Sequence, residues 1–298
     1  MKATNIRPTT LPVSHREPRM GMRTAHILHR VLVYGLLIGL GIIFILPFMW
    51  MITTSLKKSQ DVFTFPPNFL PHSFEWHNYR DGWNILPFNT FLMNSIIVTG
   101  ANVIGNLLSC SLVAYGFARL RARGRDLLFI LVLATLMIPR EVTIVPTFIL
   151  FTKLHLVNTL WPLILPAWFG YPFFIFLLRQ FFMSLPHDLD EAARIDGASS
   201  LRIFTNIILP LSKPALGTVA IFAFIGNWNN LLDPLIYLRS QEKYTLALGL
   251  NLFRGQFLTV FNQLMAVSIL QLLPILIIFF LAQKYFVRGV ALSGMGGR

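Results

Sequence analysis

Apolar residues fill six long stretches of this chain, separated by polar, basic or proline-rich segments. The stretches run over 31–52, 91–116, 127–148, 159–179, 214–237 and 263–285. Each is close to the roughly 20 residues that a helix needs to cross about 30 Å of hydrocarbon. The pattern predicts an all-α integral membrane protein with six transmembrane helices. Pro139, Arg140 and Glu141 interrupt the third stretch. It is read as crossing to about Met137, with a partly embedded amphipathic stretch continuing to about Leu154. In the fourth, Trp161-Pro162 and Leu165-Pro166 bend or start the helix in ways that only neighbouring helices can satisfy.

Composition agrees. Only 12% of residues are charged and Phe occurs 27 times, which excludes an ordinary soluble domain. The net charge of +13 raises nucleic acid as a partner, but its distribution argues against it. With six spans and the N-terminus inside, 17 of the 25 Lys and Arg fall in the inner segments. That asymmetry obeys the positive-inside rule and predicts cytoplasmic termini, with membrane lipid as the surroundings. Cys110 is the only cysteine, so no intrachain disulfide or cysteine-rich metal site forms. The first apolar run exceeds a signal-peptide core and lacks a small-x-small exit, so it is read as a retained span.

The longest polar interruption in the second half is 185–214. It reads as a short helix, a glycine turn and a second helix. Asp188 or Asp190 starts the first helix by accepting from its free N–H groups, and Glu191 suits the positive end of its dipole. Ala192 and Ala193 favour helix without bulk, leaving room for another surface. Gly197 stands where a left-handed residue ends a helix. Ser199 or Ser200 caps the next, whose Leu201, Phe204 and Ile208 recur at helical spacing.

Glu191-Ala192-Ala193, three residues, Gly197, nine residues, then Ile207-x-Leu209-Pro210 resembles the EAA loop of the permease subunits of binding-protein-dependent ABC importers. The resemblance extends to the Pro-rich loop before Asn78-Tyr79, to Tyr115-Gly116-Phe117-Ala118-Arg119-Leu120, to Arg179-Gln180-Phe181-Phe182 and to the Phe286-Val287-Arg288-Gly289 exit. It covers most of 31–298 and is strongest with the sugar-transporting, maltose-permease-type branch. It implies the type I importer permease fold, with a basic cytoplasmic tail at 1–30, the first helix and an extracytoplasmic loop at 31–89, a permease core at 90–285 and a cytoplasmic tail at 286–298. It further implies that 185–214 docks on a dimer of ABC ATPase subunits through Glu191, Ala192, Ala193, Asp196, Gly197, Leu209 and Pro210. ATP and Mg would sit on those partners. A second, homologous permease and an extracytoplasmic solute-binding protein complete the expected assembly, and transport would proceed by alternating access.

Asn227, Trp228, Asn229, Asn230 and Asp233 place three amides, an indole and a carboxylate within the fifth apolar stretch. Such groups are costly in lipid and turn to the protein interior or to water. Aromatic faces beside amide and carboxylate acceptors also suit a sugar. Two readings stand: a substrate pathway, or polar residues capping the outer end of a helix. Asn102 and Asn106, in the second stretch, likewise serve either helix packing or a polar passage. The basic run Arg119–Arg125 is read as a topology signal that meets lipid headgroups.

The chain has no P-loop, no Cys/His metal constellation and no nucleophile elbow, so no catalytic centre or cofactor is expected in it. The rival class, a gradient-driven secondary transporter, is expected to carry internal repeats and coupling acids. Here no repeat is visible, and Asp233 is the only acid well inside a predicted span.

Overall fold

The computed structural model describes residues 20–256 and 260–294. Residues 1–19 of the basic tail expected at 1–30, residues 295–298, and the side chains of the Phe-Val-Arg-Gly exit lie outside this description. Among the described residues every regular element is helical.

In chain order the α-helices are α1 (Met20–Ser55), α2 (His77–Ile85), α3 (Phe88–Arg119), α4 (Arg125–Ala134), α5 (Arg140–Lys153), α6 (Trp161–Ile164) and α7 (Pro172–Ser184). Then follow α8 (Asp188–Ile195), α9 (Ser200–Ile203), α10 (Leu209–Leu211), α11 (Lys213–Trp228), α12 (Leu232–Tyr237), α13 (Leu246–Gln256) and α14 (Phe261–Gly294). Four segments are long and apolar enough to cross a membrane: His26–Ser55, Phe88–Arg119, Trp161–Ser184 and Phe261–Leu281. Two bent pairs bring the number to six if each counts as one span.

The first bent pair, Arg125–Met137 with Arg140–Lys153, turns through 98° where the sequence predicted a break. The cause is local. The residue before a proline is disfavoured in the helical region, and Ile138 is extended at φ −80°, ψ 114°. The fifth span departs from expectation. Its helix ends at Trp228, and Asp233 belongs to the separate α12. Pro234 explains the break, because its ring would clash with the carbonyl four residues earlier, at Asn230. Asn230 then accepts the Asp233 N–H at 3.3 Å, satisfying a donor at the new helix start.

Two compact units divide at Trp50 and Met51. In the first, α1 presents apolar side chains outward all round, Phe44 being 79% exposed. In the second, α3 packs against α7 and α11. One apolar cluster joins Cys110, Ala114 and Tyr115 of α3 to Leu178 and Phe182 of α7 and Val219 of α11. Another gathers Phe88, Phe91, Trp228, Phe253 and Val267. Close contact depends on small residues, as between helices in lipid. A Cβ on Gly105 would come within 2.8 Å of the Trp168 indole, and one on Gly249 would overlap the Phe91 ring.

The loop after α1 is anchored rather than free. Buried Asn78 donates to the carbonyls of Ser55 and Lys57, both at 2.9 Å, and Asn262 of α14 joins the same network. Lys57 is buried beside it and donates to the Asn68 carbonyl. Burial pushes its ammonium pKa below the usual lysine value, and Asp61 opposes that shift in part.

Candidate functional site

The polar stretch after α7 folds as a protrusion with a defined inner and outer face. α8 ends in two bonds: the Gly197 N–H reaches the Arg194 carbonyl at 3.0 Å, and the Ala198 N–H reaches that of Ala193 at 2.9 Å. This is the paired bonding of a left-handed C-terminal cap, and Gly197 has φ +79° as that cap requires. Ser199 then caps α9, accepting from the Arg202 N–H at 3.3 Å. A single π turn, Phe204–Ile208, leads through α10 to the start of α11. The outgoing arm and α11 meet at 78°.

Neither aspartate caps α8, contrary to the sequence reading. His187 occupies the cap position in helical conformation and makes no side-chain cap bond. Asp188 is exposed, whereas Asp190 turns inward to an ion pair. The outer face carries Asp188, Glu191, Ala192 and Ile195, spaced as one helical stripe, with Asp196 beside it. Ile195 is 87% exposed, an apolar knob among acids that sequence reasoning missed. Of the expected docking residues, Glu191, Ala192, Asp196, Gly197 and Pro210 lie at the surface. Ala193 is buried and Leu209 half-buried against the chain's own core, so the close approach Ala193 permits is internal.

The partner of Asp190 is Arg119, which corrects the reading of that arginine as a headgroup ligand. Its side chain is wholly buried, with one guanidinium nitrogen 3.1 Å from the carboxylate. The same nitrogen lies 3.0 Å from His187 Nδ1. Arginine only donates, so this ring nitrogen is the acceptor. The other terminal nitrogen donates to the carbonyls of Phe182 and Leu185, at 2.6 and 2.7 Å. Arg179, further along, lies over the Phe129 ring at 4.1 Å.

The second candidate region separates into two groups. Asn102 is buried and donates to the carbonyls of Val98 and Leu163, and buried Asn106 donates to that of Asn102. Trp228 is buried too, its indole N–H bonded to the Gln271 carbonyl at 2.9 Å and its ring stacked on Phe224. Asn102 thereby ties α3 to α6 and Trp228 ties α11 to α14, while Asn106 bonds within its own helix. Asn227 and Asn229 bond back to their own helix, at the carbonyls of Ala223 and Ile225. Asn230 donates to Asp233 at 2.6 Å, and the other oxygen of Asp233 pairs with Arg140. Arg140 opens α5, so the acid left unplaced by sequence meets the base that interrupts the third apolar stretch.

Residues 105–292 match the family model described as binding-protein-dependent transport system inner membrane component. The chain is 34% identical over 263 residues to the arabinooligosaccharides transport system permease protein AraQ of Bacillus subtilis, covering 87% of this chain and 92% of that protein. It is 38% identical over 240 residues to the sn-glycerol-3-phosphate transport system permease protein UgpE of Pectobacterium atrosepticum, covering 78% and 85%. Its fold matches a chain in the crystal structure of a bacterial ABC transporter involved in the import of the acidic polysaccharide alginate. That match has a TM-score of 0.77 and 25% identity, and covers 91% of this chain and all of that one.

Proposed function

This chain belongs to the family of binding-protein-dependent transport system inner membrane components, and we propose that it is the permease subunit of an ATP-driven importer for a carbohydrate or a polyol phosphate. It is a multi-pass membrane protein and a transport component rather than an enzyme. Relatives named for arabinooligosaccharides and sn-glycerol-3-phosphate support the cargo class.

The observation that carries the coupling reading is the outer face of α8. An acidic stripe with a gap at Ala192 and a projecting Ile195 is suited to a cleft that offers cations around an apolar pocket. That cleft would belong to an ATPase dimer holding ATP and Mg. A twofold dimer needs two docking loops, so a second, related permease supplies the other, and a solute-binding protein delivers cargo outside. The inner excess of Lys and Arg favours cytoplasmic termini and a cytoplasmic docking loop. The permease core is taken as 90–285. Closure of the ATPase dimer drives alternating access only if the docked contacts differ between its two states. On the transport side, Asn229, Asn230 and the Arg140–Asp233 pair keep exposed or half-buried polar groups that a hydroxylated solute can use.

The test is purification of the tagged protein from gently solubilised membranes, followed by uptake assays in vesicles. The reading expects a P-loop ATPase and a second permease in the complex, uptake that requires ATP, and loss of both ATPase and uptake in Ile195→Asp. Uptake by this chain alone, driven by an ion gradient, overturns it in favour of a secondary transporter.

A further inference from the structure

Arg119 ends α3, a helix of 32 residues and so about 48 Å long, and its guanidinium reaches both the helix before the docking loop and the docking helix itself. The carbonyls it binds, Phe182 and Leu185, are at the C-terminal end of α7, where the helix dipole is negative. The carboxylate it binds, Asp190, is on the inner face of α8, three residues before buried Ala193. One turn earlier on the same face of α3, the Tyr115 hydroxyl donates to the Ser200 carbonyl at 3.1 Å, and its ring packs on Phe204 at 5.0 Å. The last two turns of α3 therefore hold the incoming arm of the loop through Arg119 and the outgoing arm through Tyr115.

This is a poor device for stability alone. Both charges are stripped of water, and Arg119 Nε and Asp190 Oδ1 have no hydrogen-bond partner among the described residues. Buried ion pairs of that kind are often matched or surpassed by apolar packing, and their best-attested use is to fix a register. Here the register is the rotation of α8 about its own axis. With Asp190 held inward, the stripe Asp188, Glu191, Ala192 and Ile195 must face outward.

We propose that Arg119 is a positioning residue that carries movement of the docking helix into α3, with Tyr115 as a second strut. The proposal rests on the coupling role given to α8 above. A push on α8 then moves α3, and with it the α7 and α11 surfaces packed along its length. Lysine in place of Arg119 keeps the charge but lacks the planar fork, so it cannot serve Asp190, Phe182 and Leu185 together.

The experiment uses the whole reconstituted complex in vesicles and measures ATP hydrolysed per solute imported. Arg119→Lys is expected to assemble and hydrolyse ATP, with the ratio raised about fivefold or more. Tyr115→Phe, which removes only a hydroxyl, is expected to raise it about twofold to threefold. Should Arg119→Lys fail to assemble, Tyr115→Phe decides. A wild-type ratio in Tyr115→Phe, or in an assembled Arg119→Lys, overturns the proposal while leaving the docking role of α8 intact. A wild-type complex whose uptake ignores ATP overturns both.

Discussion

Arg140 and Asp233 form an ion pair that joins the starts of two helices, α5 and α12, each standing just beyond a break in an apolar stretch. Both charges disfavour lipid, and each provides the other's compensation. The side chains are 52% and 23% exposed, so the coupling is intermediate between a surface pair and a buried one. Arg140→Gln and Asp233→Asn are each expected to lower the unfolding midpoint in detergent. The double variant should lose less than the sum, by about 1 kcal/mol of coupling. Strict additivity in thermal scans of the four proteins would show that the pair contributes nothing.

Gly197 isolates a backbone effect. No atom would lie within 4 Å of a Cβ there, so substitution is limited by its φ of +79° rather than by crowding. Left-handed backbone costs an ordinary residue about 1–2 kcal/mol, and less for Asn. Gly197→Asn and Gly197→Ala should keep solute-stimulated ATP hydrolysis with a small loss of stability. Gly197→Pro should abolish it, because proline holds φ near −65° and removes the N–H that bonds the Arg194 carbonyl. The three variants compared in one ATPase assay decide the matter.

The parts of the fold that the sequence made legible are those set within a few residues. Pro139 removes an N–H and constrains Ile138, so the break after Met137 can be read directly. Gly197 is legible for the same reason, since the turn demands a conformation that glycine adopts freely. Pro234 carries an equally local signal, and it accounts for α11 ending at Trp228, short of the apolar stretch that runs to 237. Arg119 with Asp190 was beyond reach, because nothing near either residue specifies a partner 71 positions away. The same holds for Ala193, whose inward direction follows from how α8 seats on α3 and α7.

Packing makes a sharper prediction at Gly249. A Cβ there would overlap the Phe91 ring, which is itself fully buried between neighbours and has little room to retreat. Gly249→Ala should destabilise the protein by about 1–3 kcal/mol, the usual effect of overpacking a tight contact. Gly100→Ala is the control, since nothing lies within 4 Å of its Cβ. It should be neutral or slightly stabilising, because alanine favours the helix that glycine weakens. Equal unfolding midpoints for the two variants would refute the close contact of α13 with α3.

The buried amides near the start of α14 allow a test of donor against acceptor. Asn262 Nδ2 donates to the Lys57 carbonyl and to Asn78 Oδ1, both at 3.0 Å, while its Oδ1 accepts from Ser59 at 3.1 Å. Asn262→Ala removes these bonds and should cost about 1–3 kcal/mol. Asn262→Asp should be worse at neutral pH, because a carboxylate oxygen would then face two acceptors with no proton between them. Unfolding midpoints in detergent at neutral pH should therefore rank wild type above Asn262→Ala, and Asn262→Ala above Asn262→Asp. Equal midpoints for the two variants would mean that the Asn262 amide donates nothing to its neighbours.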